Sequence, residues 1–387
     1  SNRWCPWALH GVTMGTMFGH LPWSRLATLP TALERGPQLP GGARLWVKRD
    51  DLTGLGMGGN KARKLEYLVG AAVAEGARSL ITVGAAQSNH CRMTAAAGAV
   101  LGLEVHLVLS GDRPDTPTGN QLLALLFGAE MHYTGAHDSH WGELEIAREA
   151  LASELIESGD QPYSIPIGGS TAVGALGYAA AFFEIMEQCR ARDVHPAAIV
   201  VTSSSGGTHA GLIAGRALWR TRHPDGPLPE VLAIGVAKGV NIGMPDVASL
   251  ARECVGLVGQ PGTVEAGDVQ LDAHWLGDDY AVPTAAGDAA VRWAAHGLGV
   301  TLVPASAVPH GHEHLVRPVS PAVSQPVIAV VRQEAGPAET ALLELLRQET
   351  WSVSDAPRSS AGVPTSSGTS SAPGTPSAPG APSAGTP

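Results

Sequence analysis

Lysine is the residue type whose position is most informative in this sequence. The 387-residue chain has four lysines, Lys48, Lys61, Lys64 and Lys238, so chemistry that needs a primary amine has four candidates. Lys61 ends a glycine-rich segment, GLGMGGNK at 54–61, and begins an amphipathic stretch. The positive end of a helix dipole disfavours an ammonium group, and partial burial lowers the pKa of an amine further. Lys61 is therefore a candidate for Schiff-base chemistry, with a solvated lysine at a helix start as the alternative.

The same segment contains the spacing G-x-G-x-x-G at Gly54, Gly56 and Gly59, but it fits a nucleotide site poorly. In a dinucleotide-binding turn the glycines follow the strand directly, whereas residues 50–53 intervene here. A P-loop would need Ser or Thr where Ala62 stands, to bind magnesium. Nucleotide binding is therefore the weaker interpretation of these glycines.

A second glycine-rich segment, SSSGGTHAG at 203–211, follows an apolar strand pattern and precedes a helical one. Glycines let the backbone approach an anion, and the backbone amides of Gly206, Gly207 and Thr208 can donate to it. The hydroxyl groups of Ser205 and Thr208 can donate as well. No lysine lies in this segment, so we expect it to suit a single phosphate group. A serine-capped turn without a ligand is the alternative.

A third polar cluster, Gln87, Ser88, Asn89 and His90, also lies between a strand pattern and an Ala-rich helical pattern. Taken alone, it is an ordinary helix N-cap. Combined with the other two segments, it indicates side chains that face a ligand at the carboxyl edge of a sheet.

Three histidines and a glutamate occur together in PHGHEH at 309–314. They lack the H-E-x-x-H spacing and have no cysteine or further carboxylate nearby in sequence. We therefore interpret this stretch as a solvated loop and predict no metal site.

Five segments, in order, resemble the D-cysteine desulfhydrase and 1-aminocyclopropane-1-carboxylate (ACC) deaminase family of pyridoxal-phosphate enzymes. They are LATLPTALERG at 26–36, LWVKRDDLTGLGMGGNKARKLE at 45–66, GAAQSNHCR at 84–92, IPIGGSTAVGALGY at 165–178 and SSGGTHAGL at 204–212. The resemblance runs from Leu26 to Tyr280. It implies the two-lobed α/β fold of the tryptophan-synthase-β type (fold type II), with doubly wound parallel sheets.

The resemblance also implies how the cofactor, pyridoxal 5'-phosphate, is held. Lys61 would bind it as a Schiff base and, once released, would move the substrate proton. Asn89 would bind the ring hydroxyl. The residues implied to hold the phosphate are Ser205, Gly206, Gly207 and Thr208.

The same similarity assigns residues to the substrate. Gln87, Ser88 and Asn89 would bind it, with Gln87 and Ser88 facing its carboxylate and Ser88 also a candidate catalytic group. Tyr280, in the segment YAVP, matches an active-site tyrosine of the family that stacks near the substrate or takes part in proton transfer.

The carboxyl-terminal third departs from the family pattern. Where the family has Glu-Gly, then Asp-Pro-Val-Tyr and a Gly-Lys pair, this chain has HGLGVTLVPASAVPHGH at 296–312, with neither tyrosine nor lysine. The family's Thr-Gly-Gly, near the pyridine nitrogen, corresponds to 331–334, which brings Arg332 to that place. An arginine would keep the ring nitrogen unprotonated, and only a protonated ring fully stabilises a carbanion.

These departures favour one reaction over another. They disfavour ring opening of ACC and leave β-elimination or racemisation. The leading hypothesis is removal of the α-proton of a small amino acid and expulsion of its β-substituent, as when D-cysteine gives pyruvate, sulfide and ammonia. The alternatives are ACC deamination, a cofactor-binding protein without turnover, and a nucleotide-dependent enzyme.

Short apolar runs alternate with amphipathic runs from Arg44 onward, which is typical of βα units that build a parallel sheet. The strands are predicted at 44–48, 79–83, 105–109, 130–133, 164–167, 198–202, 231–236 and 327–331. The helices are predicted at 63–75, 89–101, 172–189, 208–220 and 285–296. We expect a large cofactor-binding domain (1–57 and 171–355), a small domain (58–170) and a disordered Ser/Pro/Gly-rich tail (356–387).

Composition limits the kinds of partner that we expect this protein to bind. The formal net charge of −10 argues against nucleic-acid binding, and no apolar run reaches the length of a membrane span. We see no signal-peptide pattern, so we expect a cytoplasmic protein whose four cysteines are reduced and mostly buried. A homodimer is expected from the family resemblance alone.

Overall fold

The computed structural model describes residues 17–38, 44–136, 141–236 and 246–273, and the backbone of three further strands. Tyr280, Arg332, the segment 310–314, the helix predicted at 285–296 and the tail lie outside the described residues. Within the described part, no helix combines the length and the apolar composition that crossing a bilayer requires.

Strands and helices alternate along most of the described chain, as predicted. The strands are β1 (Leu33–Gln38), β2 (Arg44–Lys48), β3 (Ser79–Gly84), β4 (Glu104–Leu109), β5 (Glu130–Tyr133), β6 (Pro162–Ile165), β7 (Ala198–Ser203), β8 (Glu230–Gly235), β9 (Gln270–Asp272), β10 (Thr301–Pro304), β11 (Val316–Val319) and β12 (Val327–Val330). The helices are α1 (Lys61–Ala74), α2 (Asn89–Leu101), α3 (Gly119–Leu126), α4 (Trp141–Glu157), α5 (Ala172–Arg190), α6 (Gly207–Arg222) and α7 (Val247–Val258).

Two parallel sheets position the loops of interest. One has the strand order β5-β4-β3-β6 and the other the order β7-β8-β9. Every residue of β3 is buried, because helices cover both faces of a parallel sheet. The first sheet falls within the predicted small domain and the second within the predicted large domain, although the exact domain boundaries stay a prediction.

Two strands predicted as members of the parallel series run antiparallel instead. β2 pairs with β1, and β12 pairs with both β10 and β11. Only residues 39–43 separate β1 from β2, and only 320–326 separate β11 from β12. Parallel neighbours need a crossover of about a dozen residues or more, so these short connections force the antiparallel direction.

The ends of the central elements follow local sequence signals. Ser88 caps α2 by accepting a hydrogen bond from the Cys91 amide (3.2 Å), and Thr171 caps α5 by accepting one from Gly174 (3.0 Å). β6 ends two residues earlier than predicted, because the chain turns tightly at Gly168 and Gly169, where φ is 64° and 60°.

Small residues bring α1, α5 and α6 into close contact. A Cβ added at Gly177 of α5 would overlap the carbonyl group of Arg63 in α1, and one at Gly211 of α6 would overlap that of Ala175. Phe182 is completely buried in the core beneath these crossings. This close packing fixes the start of α1 beside the start of α6. Of the four cysteines, the three described ones, Cys91, Cys189 and Cys254, are free and buried, as predicted.

Candidate active site

A cavity of about 420 Å³ lies where the carboxyl ends of β3 and β7 face the start of α1. Its described lining contains members of all three predicted segments. They are Lys61, Ser88, Asn89, Ser205, Gly206 and Thr208. Among the described candidates, Gln87 and Gly207 do not line it. The first turns of α2 and α6 border the cavity, and the backbone amides of such turns favour an anion.

Lys61 is the first residue of α1, and burial lowers the pKa of its amine to about 8. The preceding loop is fixed by Thr53, whose hydroxyl group accepts from the Gly59 amide (2.9 Å) and lies 2.9 Å from the Gly59 carbonyl. Gly58 has φ of 78°, and a Cβ there would overlap the Asp51 carbonyl group. The loop thus holds a partly neutral amine, and therefore a nucleophile, at the cavity wall.

Asn60 connects this lysine to the second glycine-rich segment. Its Oδ1 accepts a hydrogen bond from Lys61 Nζ (3.1 Å), and its Nδ2 donates to Thr208 Oγ1 (3.3 Å). One side chain therefore contacts both the amine and the residues predicted to bind phosphate. Sequence analysis did not single out Asn60, and so missed this bridging position.

A serine organises the segment that precedes α6. Ser170 Oγ accepts from the Gly207 amide (3.2 Å) and donates to Ser205 Oγ (2.8 Å). Gly206 adopts φ of 81°, a left-handed conformation that glycine allows. Ser170 lies in IPIGGSTAVGALGY, one of the five segments that resemble the family. The resemblance did not predict that Ser170 shapes this loop.

Lys64 lies directly behind the same loop, which corrects the expectation that no lysine accompanies it. Its Nζ donates to the Gly168 carbonyl (2.9 Å) and to Ser170 Oγ (3.3 Å). Complete burial, together with the charge of Lys61, lowers the pKa of Lys64 well below its usual value. The spacing between Lys61 and Lys64 is the sequence signal that could have predicted this position, because residues i and i+3 lie on one face of a helix.

Ser88 and Asn89 stand at the start of α2 on the other side of the cavity. The Ser88 hydroxyl group caps the helix, which is the ordinary role that its sequence position predicted. Asn89 Oδ1 accepts hydrogen bonds from Asn120 Nδ2 (3.0 Å) and Arg92 (3.2 Å). Both side chains are held in place at the cavity wall.

Gln87 binds the start of α3 rather than lining the cavity. Its Oε1 accepts from the Asn120 amide (2.8 Å), and its Nε2 donates to the Thr118 carbonyl (3.1 Å). Asn120 Nδ2 donates in turn to the Gln87 carbonyl (2.7 Å). Asn120, which sequence analysis did not single out, therefore ties α3 to the whole segment 87–89.

Two histidines line the cavity in neutral form. Burial lowers the pKa of His90 well below its usual value, with contributions from Lys61 and Lys64, and burial lowers that of His209 to about 4. His90 Nε2 lies 2.9 Å from Thr82 Oγ1. Neither ring adds a positive charge to the site at neutral pH.

A buried ionic network adjoins the cavity and joins the chain before α1 to α5. The Arg63 guanidinium group contacts both carboxylate oxygens of Asp50 (2.8 Å each) and both of Glu184 (3.0 Å each). Tyr178 donates to Asp50 (2.8 Å), and Lys48 pairs with Glu184. Burial alone would raise the pKa of Asp50 and Glu184, but the charge of Arg63 holds both below their usual values.

Comparison with known proteins assigns the family. The sequence profile described as "Pyridoxal-phosphate dependent enzyme" matches residues 25–311. The chain belongs to the pyridoxal-phosphate-dependent enzymes. This confirms the family resemblance, the cofactor and the fold class that the sequence predicted.

Relatives of this enzyme bear the names that the resemblance suggested. The D-cysteine desulfhydrase of Salmonella choleraesuis (strain SC-B67) is 40% identical over 294 residues, which cover 73% of this chain and 84% of that protein. That of Salmonella typhi is 39% identical over the same coverage. The crystal structure of an ACC deaminase homologue matches with a TM-score of 0.64 and 34% identity, over 73% of this chain and 83% of that one.

The described residues of this enzyme fit its cofactor. An aldehyde needs a neutral amine, and Lys61 provides one with a lowered pKa. A phosphate group needs close backbone approach and positive charge. A Cβ at Gly207 would come within 2.5 Å of Lys64 Nζ, so only glycine leaves this approach open. The hydrogen bonds of Lys64 within the described part of the chain go to uncharged oxygen atoms, those of the Gly168 carbonyl and the Ser170 hydroxyl group.

Proposed function

We propose that this enzyme catalyses β-elimination from a small β-substituted amino acid, with D-cysteine as the model substrate and pyruvate, ammonia and sulfide as products. One observation carries the proposal: the amine of Lys61 lies in a cavity between the start of α2 and the loop that begins α6. The names of the Salmonella relatives support the choice of D-cysteine.

The roles of the cofactor-binding residues follow from charge and contact. Lys61 would hold the cofactor covalently, the amides and hydroxyl groups of Ser205, Gly206, Gly207 and Thr208 would bind its phosphate, and Asn89 would bind the ring hydroxyl. When bound, the cofactor withdraws electrons from the substrate's α-carbon and so makes its proton more acidic.

Proton transfer falls to Lys61. An amine with a pKa of about 8 accepts and returns a proton near neutral pH with little driving force in either direction. Asn60 Oδ1, 3.1 Å from Nζ, orients the lone pair or the N–H bonds of this amine. The same group can therefore remove the α-proton on one face of the substrate.

Substrate binding falls to the start of α2. The Ser88 hydroxyl group and the neighbouring backbone amides suit a carboxylate, which the helix dipole also attracts. Ser88 is the second candidate for proton transfer. Gln87, predicted to face the carboxylate, is assigned here to holding the segment through its contacts with Thr118 and Asn120.

The remaining assignments rest on the sequence. Tyr280 near the substrate and Arg332 near the pyridine nitrogen lie outside the described residues and stay predictions. We further propose a two-domain enzyme (1–57 with 171–355, and 58–170) that works in the cytoplasm as a homodimer. The homodimer rests on the family resemblance alone, and the domain bounds and the location stay predictions from the sequence.

The proposal is tested by the absorbance spectrum of the purified enzyme with D-cysteine, L-cysteine or ACC, beside Lys61→Ala and Lys48→Met variants. We expect a visible cofactor band in the wild type that D-cysteine perturbs with release of sulfide. Lys61→Ala should lose the band, whereas Lys48→Met, which removes the other described cavity lysine, should keep it.

Each other outcome has a definite meaning. A band that ACC perturbs and D-cysteine does not would replace elimination with ACC deamination. A band that no amino acid perturbs would leave a cofactor-binding protein without this activity. Persistence of the band in Lys61→Ala would overturn the assignment of Lys61.

A further inference from the structure

Two histidines and a glutamate converge at the edge of the four-stranded sheet, away from the active-site cavity. His106 is the third residue of β4, and Glu130 and His132 are the first and third residues of the edge strand β5. His106 and Glu130 are register partners. Because residues two apart on a strand point to the same face, all three side chains lie on one face of the sheet.

The three donor groups are mutually spaced as metal ligands. His106 Nδ1 lies 3.4 Å from His132 Nε2 and 3.5 Å from Glu130 Oε2, and His132 Nε2 lies 3.6 Å from Glu130 Oε1. Bonds of about 2.0–2.2 Å to a tetrahedral ion separate its ligands by about 3.3–3.6 Å. Good N–H···O hydrogen bonds are shorter, at about 2.7–3.2 Å, so direct hydrogen bonding explains these distances less well.

The hydrogen-bonding pattern of His106 also suits a cation. Among the described residues His106 Nε2 is buried without a hydrogen-bond partner, so the polar contacts of this ring are directed at the cluster through Nδ1. Two imidazole rings and one carboxylate can offer three lone pairs to an ion.

The residues around this cluster add negative charge, and solvent reaches the cluster. Glu154 acts electrostatically on His132, and Asp160 acts on His106, although Arg78 pairs with Asp160 (3.2 Å). The Glu130 side chain is 65% exposed, so an ion can enter from solvent and keep a water molecule as a fourth ligand.

We propose that His106, Glu130 and His132 bind a zinc ion that clamps the edge strand β5 to β4. Imidazole and carboxylate donors at tetrahedral spacing favour Zn²⁺ over Mg²⁺ or Ca²⁺, which prefer more oxygen ligands. His106 and Ser110 are separated by about 13 Å of extended chain. The Ser110 hydroxyl group accepts a hydrogen bond from the Ala86 amide, near the cavity. The ion therefore stabilises this sheet edge and takes no part in the reaction.

Zinc titration of the metal-free holoenzyme by calorimetry tests the site, with His132→Gln as the disrupting variant and His195→Gln as the matched control. His195 lies outside the cluster and is also beside a carboxylate, 4.0 Å from that of Asp193. We expect one saturable site in the wild type and in His195→Gln, weakened at least about 100-fold in His132→Gln. Zinc should raise the melting temperature of the wild type but not of His132→Gln, and should leave turnover unchanged.

The segment with three clustered histidines supplies the decisive comparison. A triple variant, His310→Gln, His312→Gln and His314→Gln, should retain the zinc affinity of the wild type. Loss of zinc binding in this triple variant with retention in His132→Gln would overturn the proposal, as would the absence of a saturable site in the wild type. Substitution with Co²⁺ should give the intense visible bands of a four-coordinate ion, and octahedral bands would also contradict the assignment.

Discussion

Lys64 and Gly207 lie so close that a Cβ on Gly207 would come within 2.5 Å of the Lys64 amine. Lys64 belongs to α1, one turn after Lys61, whereas Gly207 begins α6. A single helix therefore presents one amine to the cavity and a second amine to the back of the loop proposed to bind phosphate. The close packing of α1, α5 and α6 makes this arrangement rigid.

Replacing Lys64 with methionine should weaken cofactor binding by about 10- to 100-fold, equivalent to about 1.4–2.8 kcal/mol. Methionine fills similar space but has no amine. A bound phosphate group would favour the charged form of the buried Lys64 amine, and methionine removes the resulting ion pair. The affinity of the apoenzyme for pyridoxal 5'-phosphate, measured by fluorescence titration, checks this expectation.

Pyridoxal, which lacks the phosphate group, is the control ligand for Lys64→Met. Its affinity should change little, because Lys64 acts through the phosphate. An equal loss of affinity for both ligands would show that Lys64 supports only the fold, and unchanged affinity for both would remove it from the phosphate site.

The pH dependence of cofactor attachment should report the amine of Lys61. Only a neutral amine attacks the cofactor aldehyde, and with a pKa of about 8 half of the Lys61 amine is neutral near pH 8. The rate at which the apoenzyme attaches pyridoxal 5'-phosphate should therefore rise from pH 6, pass its midpoint near pH 8 and level off at higher pH. Stopped-flow absorbance measures this rate, and a midpoint near the ordinary lysine value of 10.5 would contradict the effect of burial.

Much of the site was predictable because its chemistry is concentrated in short segments that follow strands. Lys61, Ser88 and Thr208 each stand next to a recognisable loop, and the carboxyl ends of parallel strands bring such loops together. The strands and helices that were predicted within the described residues fall within two residues of their observed bounds, whereas β1, β9, β10, β11, α3, α4 and α7 were not predicted.

The contacts between segments were not predictable in the same way. The bond from Asn60 to Thr208 spans 148 positions, and the approach of Lys64 to Gly207 depends on how closely α1 and α6 pack. The direction of β2 was missed because an extended pattern is the same for both directions, and only the length of the connection decides between them.

Asn120 should influence substrate binding although it has no assigned catalytic role. Its side chain donates to the Gln87 carbonyl and to Asn89 Oδ1, and Asn120→Ala removes both bonds, each worth about 0.5–1.5 kcal/mol. We expect KM for the amino acid to rise by about 3- to 30-fold, with a smaller change in kcat. Steady-state kinetics separates the two parameters.

Asn120→Asp provides the matched comparison, since aspartate has the same size but cannot donate. An acidic residue in the first turn of α3 is also favourable for the helix, so the fold is retained. Asn120→Asp should match Asn120→Ala in KM, and wild-type kinetics in Asn120→Asp would show that donation to Gln87 and Asn89 is unimportant.

The buried network around Arg63 should be the most sensitive point for stability. Arg63→Met would leave the Asp50 and Glu184 carboxylates without their main partner, at a cost of about 3–5 kcal/mol. Urea unfolding of the apoenzyme at pH 7 measures this loss. Both carboxyl groups have lowered pKa values in the folded protein. The stability that they contribute is therefore fully present when the pH is above their pKa values in the unfolded chain, and it is lost as the pH falls through their pKa values in the folded protein.

The difference between Arg63→Met and the wild type should therefore shrink as pH is lowered toward about 4, where the freed carboxylates take up protons. Arg78→Met is the matched control: Arg78 pairs with Asp160 at 3.2 Å, but its side chain is 61% exposed. Such a surface pair contributes at most about 1 kcal/mol, because water and salt screen it. Equal destabilisation by the two substitutions would show that the Arg63 network stabilises the fold no more than an exposed ion pair does.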